Sequence, residues 1–172
     1  MSKLGLNTLI ISSSSSLALL QTQGFDCVAD DFVPVDLTKK VHTFPAGISI
    51  KKNALPVLVN SYPALRGSAE YHYTGLNKVV RYLPPKNINY QNTYPCNALV
   101  FIKYDASTTC ELSKITSVEA FEKLVPDSWI SSLTKNVTLF LDWFSMLPCY
   151  RLTYSNNEMM YSRIKDIFKD SL

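Results

Sequence analysis

Residues Gly24 to Lys51 read G-F-D-C-V-A-D-D-F-V-P-V-D-L-T-K-K-V-H-T-F-P-A-G-I-S-I-K, and the fold turns on how their first third is read. Cys27, Val28 and Ala29 make a short apolar run that predicts a buried strand, with Asp30 and Asp31 at its carboxyl end. Open α/β sheets bind ligands at that end of their strands. A carboxylate pair there can hold Mg²⁺ through one oxygen and take a proton from a hydroxyl through another. The same two residues also suit the start of a polar loop or a helix cap.

Upstream of this stretch, Thr8-Leu9-Ile10-Ile11 is a β-branched run of strand type. Ser12 to Ser16 follow, then Leu17 to Gln23, a run of good helix formers that stops at Gly24, a fitting residue just past a helix end. Strand, small-residue turn, helix and strand open a right-handed βαβ unit. In nucleotide-binding folds of this kind, the first turn cradles phosphate with backbone N–H groups and the helix dipole. Here that turn is serine, without the glycines for close approach or the lysine that reaches the outer phosphates.

Downstream, Phe32 to Leu37, Val41 to Pro45 and Ile48 to Lys51 read as extended, with a turn at Thr38 to Lys40 and a bend at Gly47. A short helix is expected over Ala54 to Asn60, with Pro56 in its first turn. Leu76 to Leu83 is strand-like up to Pro84-Pro85, and Lys86 to Thr93 reads as an exposed loop. Asn97 to Tyr104 (N-A-L-V-F-I-K-Y) is apolar enough for a central strand, and Asp105 to Thr109 is a turn. Thr116 to Glu119 resembles a capped helix start. Asn136 to Met146 has helical spacing, with Leu139, Phe140, Trp143, Phe144 and Leu147 as core. Pro148 to Tyr154 is a last strand, and Asn156 caps a terminal helix whose Met159, Met160, Ile164, Ile167 and Phe168 are expected to face inward. His42 reads as a structural residue of a strand edge. The aromatics of Tyr71 to Tyr73 and Tyr90 to Tyr94 suit either a peptide-binding face or core and edge filling.

At 172 residues, 47% hydrophobic and 18% charged, the chain has the size and composition of one globular domain. Its net charge of +3 comes from scattered lysines and arginines, which indicates neither nucleic acid nor a polybasic membrane contact. Cys27, Cys96, Cys110 and Cys149 stand far apart, as buried, reduced thiols do. Lys3 followed by Leu4 to Leu20 faintly resembles a secretory signal. Asn7 and the serine run break it, and no cleavage site follows.

Five blocks carry a resemblance: V-A-D-D-F-V-P-V-D, V-H-T-F-P-A-G-I-S-I-K, V-V-R-Y-L-P-P, A-L-V-F-I-K-Y and L-P-C-Y-R-L-T-Y. In this order and spacing they look like the C-terminal kinase domain of HPr kinase-related proteins. That group holds HPr-serine kinase/phosphorylase and relatives found near peptide-modification genes. The resemblance runs from about Leu9 to the C-terminus and implies a single cytoplasmic domain without the family's upstream N-terminal segment. The fold it implies is α/β, a P-loop kinase-like sheet related to phosphoenolpyruvate carboxykinase, with an antiparallel β-rich insertion.

The implied activity is phosphorylation of a serine in a peptide or small protein, with ATP and Mg²⁺ as cofactors and no nucleic acid or membrane partner. Asp30 and Asp31 fall on the family's acidic pair, which implies that one assists Mg²⁺ and the other takes the proton of the acceptor hydroxyl. Lys51 and Arg81 fall on basic positions suited to phosphate oxygens. The place of the Walker A loop reads Ile11-Ser12-Ser13-Ser14-Ser15-Ser16-Leu17. The resemblance therefore puts Ser14, Ser15 and Ser16 against the phosphates, with Ser16 and Asp30 as metal ligands. Loss of the Walker A lysine implies weakened turnover. The alternative is a catalytically inactive relative that keeps the fold as a binding or scaffold module.

Overall fold

The computed structural model describes residues 9–11, 14–76, 78–84 and 91–169. They form a mixed α/β protein with five α-helices, and the chain divides into two compact units. The first draws on 1–12, 35–41 and 94–172, and the second on 13–34 and 42–93.

A four-stranded sheet in the order β1-β7-β9-β8 builds the first unit. β1 (Leu9–Ile11) runs parallel to β7 (Leu99–Tyr104), β7 parallel to β9 (Cys149–Tyr154), and β8 (Cys110–Ile115) antiparallel to β9. β7 is interior, as its apolar run predicts, and Leu99, Val100 and Ile102 are buried. The sequence reading passes over β8, because C-E-L-S-K-I alternates too weakly to separate from the turn before it. Pairing with β9 along its whole length makes it a strand.

Helix α3 (Ser117–Leu124) begins where expected, with the Glu119 N–H donating to the Thr116 hydroxyl at 3.2 Å. Helix α4 (Thr134–Ser145) buries Trp143 and Phe144, and Phe144 packs edge-on to Phe121 of α3 at 5.7 Å. Helix α5 (Asn157–Lys169) is capped by Asn156, whose side-chain oxygen accepts the Met159 N–H at 3.1 Å. Met160, Ile164, Ile167 and Phe168 are buried. Met159 is exposed, contrary to expectation, because it falls off the i, i+4, i+7 stripe that the others share.

In the second unit, helix α1 (Ser14–Thr22) packs on β3 (Ile48–Lys51), the edge of an antiparallel sheet ordered β3-β5-β4. β5 spans Lys78–Leu83 and β4 spans Tyr71–Tyr73. Ala18, Leu19 and Leu20 are buried, and Tyr62 donates its hydroxyl to the Ala18 carbonyl at 2.8 Å. The expected helix near Pro56 is one turn, α2 (Leu55–Leu58). β2 (Lys40–His42), which contains His42 as read, and β6 (Thr93–Pro95) pair with each other and fall mostly in the first unit. The expected loop at Lys86 to Thr93 falls largely outside the described residues.

The strand expected at Cys27 to Ala29 does not form. Those residues carry no ladder: the Val28 carbonyl takes the Phe44 N–H at 2.8 Å, and the Cys27 thiol donates to the Ala29 carbonyl. Three apolar residues between Asp26 and Asp30 are too few to hold a register against those local bonds. The run that follows α1 is thus an irregular segment, and β1 takes β7 as its parallel partner.

Gly24 closes α1 as read, at φ +86°, with Phe25 N–H bonded to the Leu20 carbonyl and Gly24 N–H to that of Gln21. This is a Schellman closure, which needs the left-handed conformation that glycine adopts freely. Gly24→Ala is expected to destabilise the protein by about 1 kcal/mol, read by urea denaturation.

Candidate functional site

The residues singled out in the sequence converge around β3, all within the second unit. Alternation along β3 puts Ile48 and Ile50 on one face and Ser49 and Lys51 on the other. Ser49 is 3% exposed, and its hydroxyl lies 3.0 Å from that of Ser14, the first residue of α1. Its N–H donates to Asp30 Oδ2 at 2.9 Å. Ser14, Ser49 and Asp30 thus form one polar cluster, joining the start of α1, the irregular segment and β3.

Burial is the largest influence on Asp30 and pushes its carboxyl above the ordinary value of 3.8; the charge of Asp31 adds to this, while bonds from Ser49 and Ser14 oppose it. Cys27 responds to the same surroundings. Burial, followed by the charge of Asp30, raises its thiol to about 11, which keeps it protonated and a poor nucleophile at neutral pH. Asp31 is exposed.

The other predicted site residues divide between the two faces. Ser16 is 1% exposed, turned into the packed side of α1, and Ser15 is half-buried. Ser12 and Ser13 lie outside the described residues. Lys51 pairs with Val80 on the Ser49 face and is exposed. Arg81 pairs with Ile50 on the opposite face. Its guanidinium donates to the carbonyls of Leu65 and Ser68 and pairs with Glu70 at 2.9 Å. The two basic residues thus stand on opposite sides of the sheet, and Arg81 holds the 63–70 loop.

The sequence reading left open a cluster of aromatics on the Ser49 face. Tyr82 lies opposite Ser49, and Tyr71 and Tyr73 follow on β4. The Tyr71 and Tyr82 rings meet edge-on at 5.3 Å, and the Tyr73 and Tyr82 hydroxyls lie 2.9 Å apart. Period-two spacing in Y-H-Y and in V-V-R-Y could have signalled the shared face. In the first unit, an open cleft of about 650 Å³ is lined by Lys114, Thr116, Met146 and Cys149 among others. Its lining holds no acid or histidine. Among the described residues, no three acidic, histidine or cysteine side chains gather as a metal site would require.

No family model, curated protein or solved structure matches the chain. Among the described residues, no helix is long and apolar enough to cross a membrane.

Two substitutions probe this arrangement. Arg81→Lys is expected to cost about 1–3 kcal/mol in a denaturant titration, because a compact ammonium lacks the planar fork whose two nitrogens reach the two carbonyls and the carboxylate. Asp30→Asn is expected to raise the melting temperature at pH 7. The folded carboxyl is harder to ionise than the unfolded one, so its contribution is fully present below 3.8 and is lost as pH rises through the higher folded value. Melting curves of parent and variant should therefore converge below pH 3.8.

Proposed function

We propose that the chain is an HPr kinase-like protein of a peptide-modification or regulatory system. In it the acidic site persists while the grip on nucleotide is lost, so it works by binding a peptide or small protein rather than by efficient phosphoryl transfer. The ordered blocks of the sequence support the kinship, and so does a mixed α/β fold with Asp30 beside Ser14 at the start of the first helix. The finer assignment, a P-loop kinase-like sheet with an antiparallel insertion, belongs to this proposal, as does a cytoplasmic setting.

One observation carries the loss of the nucleotide grip: of the polar groups that would meet Mg-ATP, Lys51 and Asp31 are exposed, but the others are engaged with internal partners or packed away. Ser14 is bonded to Ser49, Asp30 to the Ser49 amide, and Arg81 to the 63–70 loop, while Ser16 is packed away. A phosphate loop instead offers free N–H groups and a lysine, and a Mg²⁺ ligand is a readily ionised carboxylate. Burial makes Asp30 harder to ionise than a free carboxyl. These residues do not fit Mg-ATP held in the family's manner.

A second reading, ATP-dependent phosphorylation of a serine, has one feature in its favour. A carboxyl raised by burial beside an exposed Asp31 is nearer the working range of a general base. Thermal unfolding with and without millimolar Mg-ATP, beside an Asp30→Asn, Asp31→Asn double variant, separates the two. No shift in either protein is expected. Ligand at a hundred times its dissociation constant stabilises by about 2.7 kcal/mol, so a shift of several degrees in the parent alone would establish a working nucleotide site and overturn the lost grip.

A further inference from the structure

We propose that the outer face of the α3–α4 hairpin is a dimer interface, covered by the same face of a second copy of this chain. The inference lies in the first unit and goes beyond the peptide-binding reading. Phe121 of α3 meets Phe140 and Phe144 of α4, and Ser117 at the start of α3 lines one cleft with Ser145 at the end of α4, so the two helices run antiparallel. α3 packs on β9, with Ala120 fully buried. At about 100° per residue, Val118 and Val125 fall on the side of Phe121 away from Ala120. In α4, Trp143 is buried on one side of the Phe140–Phe144 row, and Val137 and Leu141 fall on the other. Antiparallel packing turns these two outer sides the same way. They form one apolar stripe, with Leu133 and Trp129 at the closed end of the hairpin.

The size and border of this stripe name its occupant. Trp129 is 91%, Val118 and Leu133 67% and Leu141 41% exposed. The six side chains leave on the order of 600 Å² of apolar surface in water, at the upper end for a monomer's largest patch and close to the ~800 Å² that each partner gives a standard interface. A copy supplies the matching area by symmetry, and one antiparallel helix pair laid on another is the packing of a four-helix bundle. The polar border suits a copy too. Glu122 stands at the edge of the stripe on α3, and α4 carries Lys135 in its first turn and Asp142 in its last. Both α4 residues are exposed and, among the described residues, in no ion pair. A two-fold axis lying in the interface, across the helices, sets α4 antiparallel to its counterpart, so Lys135 of each copy comes beside Asp142 of the other. A border of both signs gives no net attraction to an anionic lipid surface.

The test uses the full chain without nucleotide, in sedimentation velocity from low micromolar to several hundred micromolar. The mass is expected to rise from one chain to two. Trp129 emission should move to shorter wavelength over the same range, while the buried Trp143 contributes a constant signal. Leu133→Glu and Leu141→Glu change exposed positions, so each should keep the circular dichroism of the parent and weaken dimerisation at least several-fold. Val57→Glu, at an exposed apolar position of α2 in the second unit, should leave it unchanged. Lys135→Asp should weaken the dimer, and adding Asp142→Lys should restore it. A chain that stays monomeric throughout, a dimer that both leucine variants leave intact, or a charge reversal that the second change does not rescue would overturn the interface. So would a monomer that sediments with phosphatidylcholine vesicles, which would make lipid the occupant.

Discussion

The hydrogen bond from the Ser49 amide to Asp30 is the contact on which the second unit's arrangement depends. Residues 25–34 form no sheet of their own, so their backbone must be tied down one bond at a time. The Val28 carbonyl receives Phe44, the Pro34 carbonyl receives His42, and Asp30 reaches into β3. Asp30 does this at the expense of its own hydration, which shows in the direction of its titration. A carboxylate in that position gains from every donor nearby, and two serines supply hydroxyls around it. A glycine in place of Ser14 would leave Ser49 alone in that role.

The pleat of the three-stranded sheet then sorts the remaining polar groups. Ser49, Lys51 and Tyr82 look to one side, and Arg81 to the other with Glu70 and the 63–70 carbonyls. Gly47, just before β3, lets the chain pass close to the end of β5: a Cβ there would stand 2.9 Å from the Leu83 carbonyl. That approach fixes the register that puts Ser49 opposite Tyr82. On the proposed reading, the face that would have met a nucleotide in an active relative is closed by its own hydrogen bonds at one end and presents tyrosines at the other.

Elements with strong local signals were legible in the sequence. The Gly24 closure, the Thr116 and Asn156 caps and the apolar β7 each rest on chemistry contained within a few residues. Cys27 to Ala29 and β8 misled for opposite reasons. The first is apolar but has no neighbour to pair with, and the second is half polar but pairs along its full length with β9. The approach of Ser14 to Asp30 was what the resemblance implied, whereas Ser16, expected with it, is turned into the packed side of α1. The separation of Lys51 from Arg81 did not, because it depends on a cross-strand register that no local pattern encodes.

The route of the chain through its two units has a consequence for synthesis on the ribosome. Among the described residues Leu9 to Ile11 pair with Leu99 to Phe101, so β1 leaves the exit tunnel long before this partner exists. The second unit, by contrast, is complete once residue 93 has emerged. It can fold while the first unit still lacks every other strand of its main sheet. Closing β1 onto β7 is then the late, long-range step, and it brings together the ends of a loop that has already collapsed and is shorter than its residue count implies.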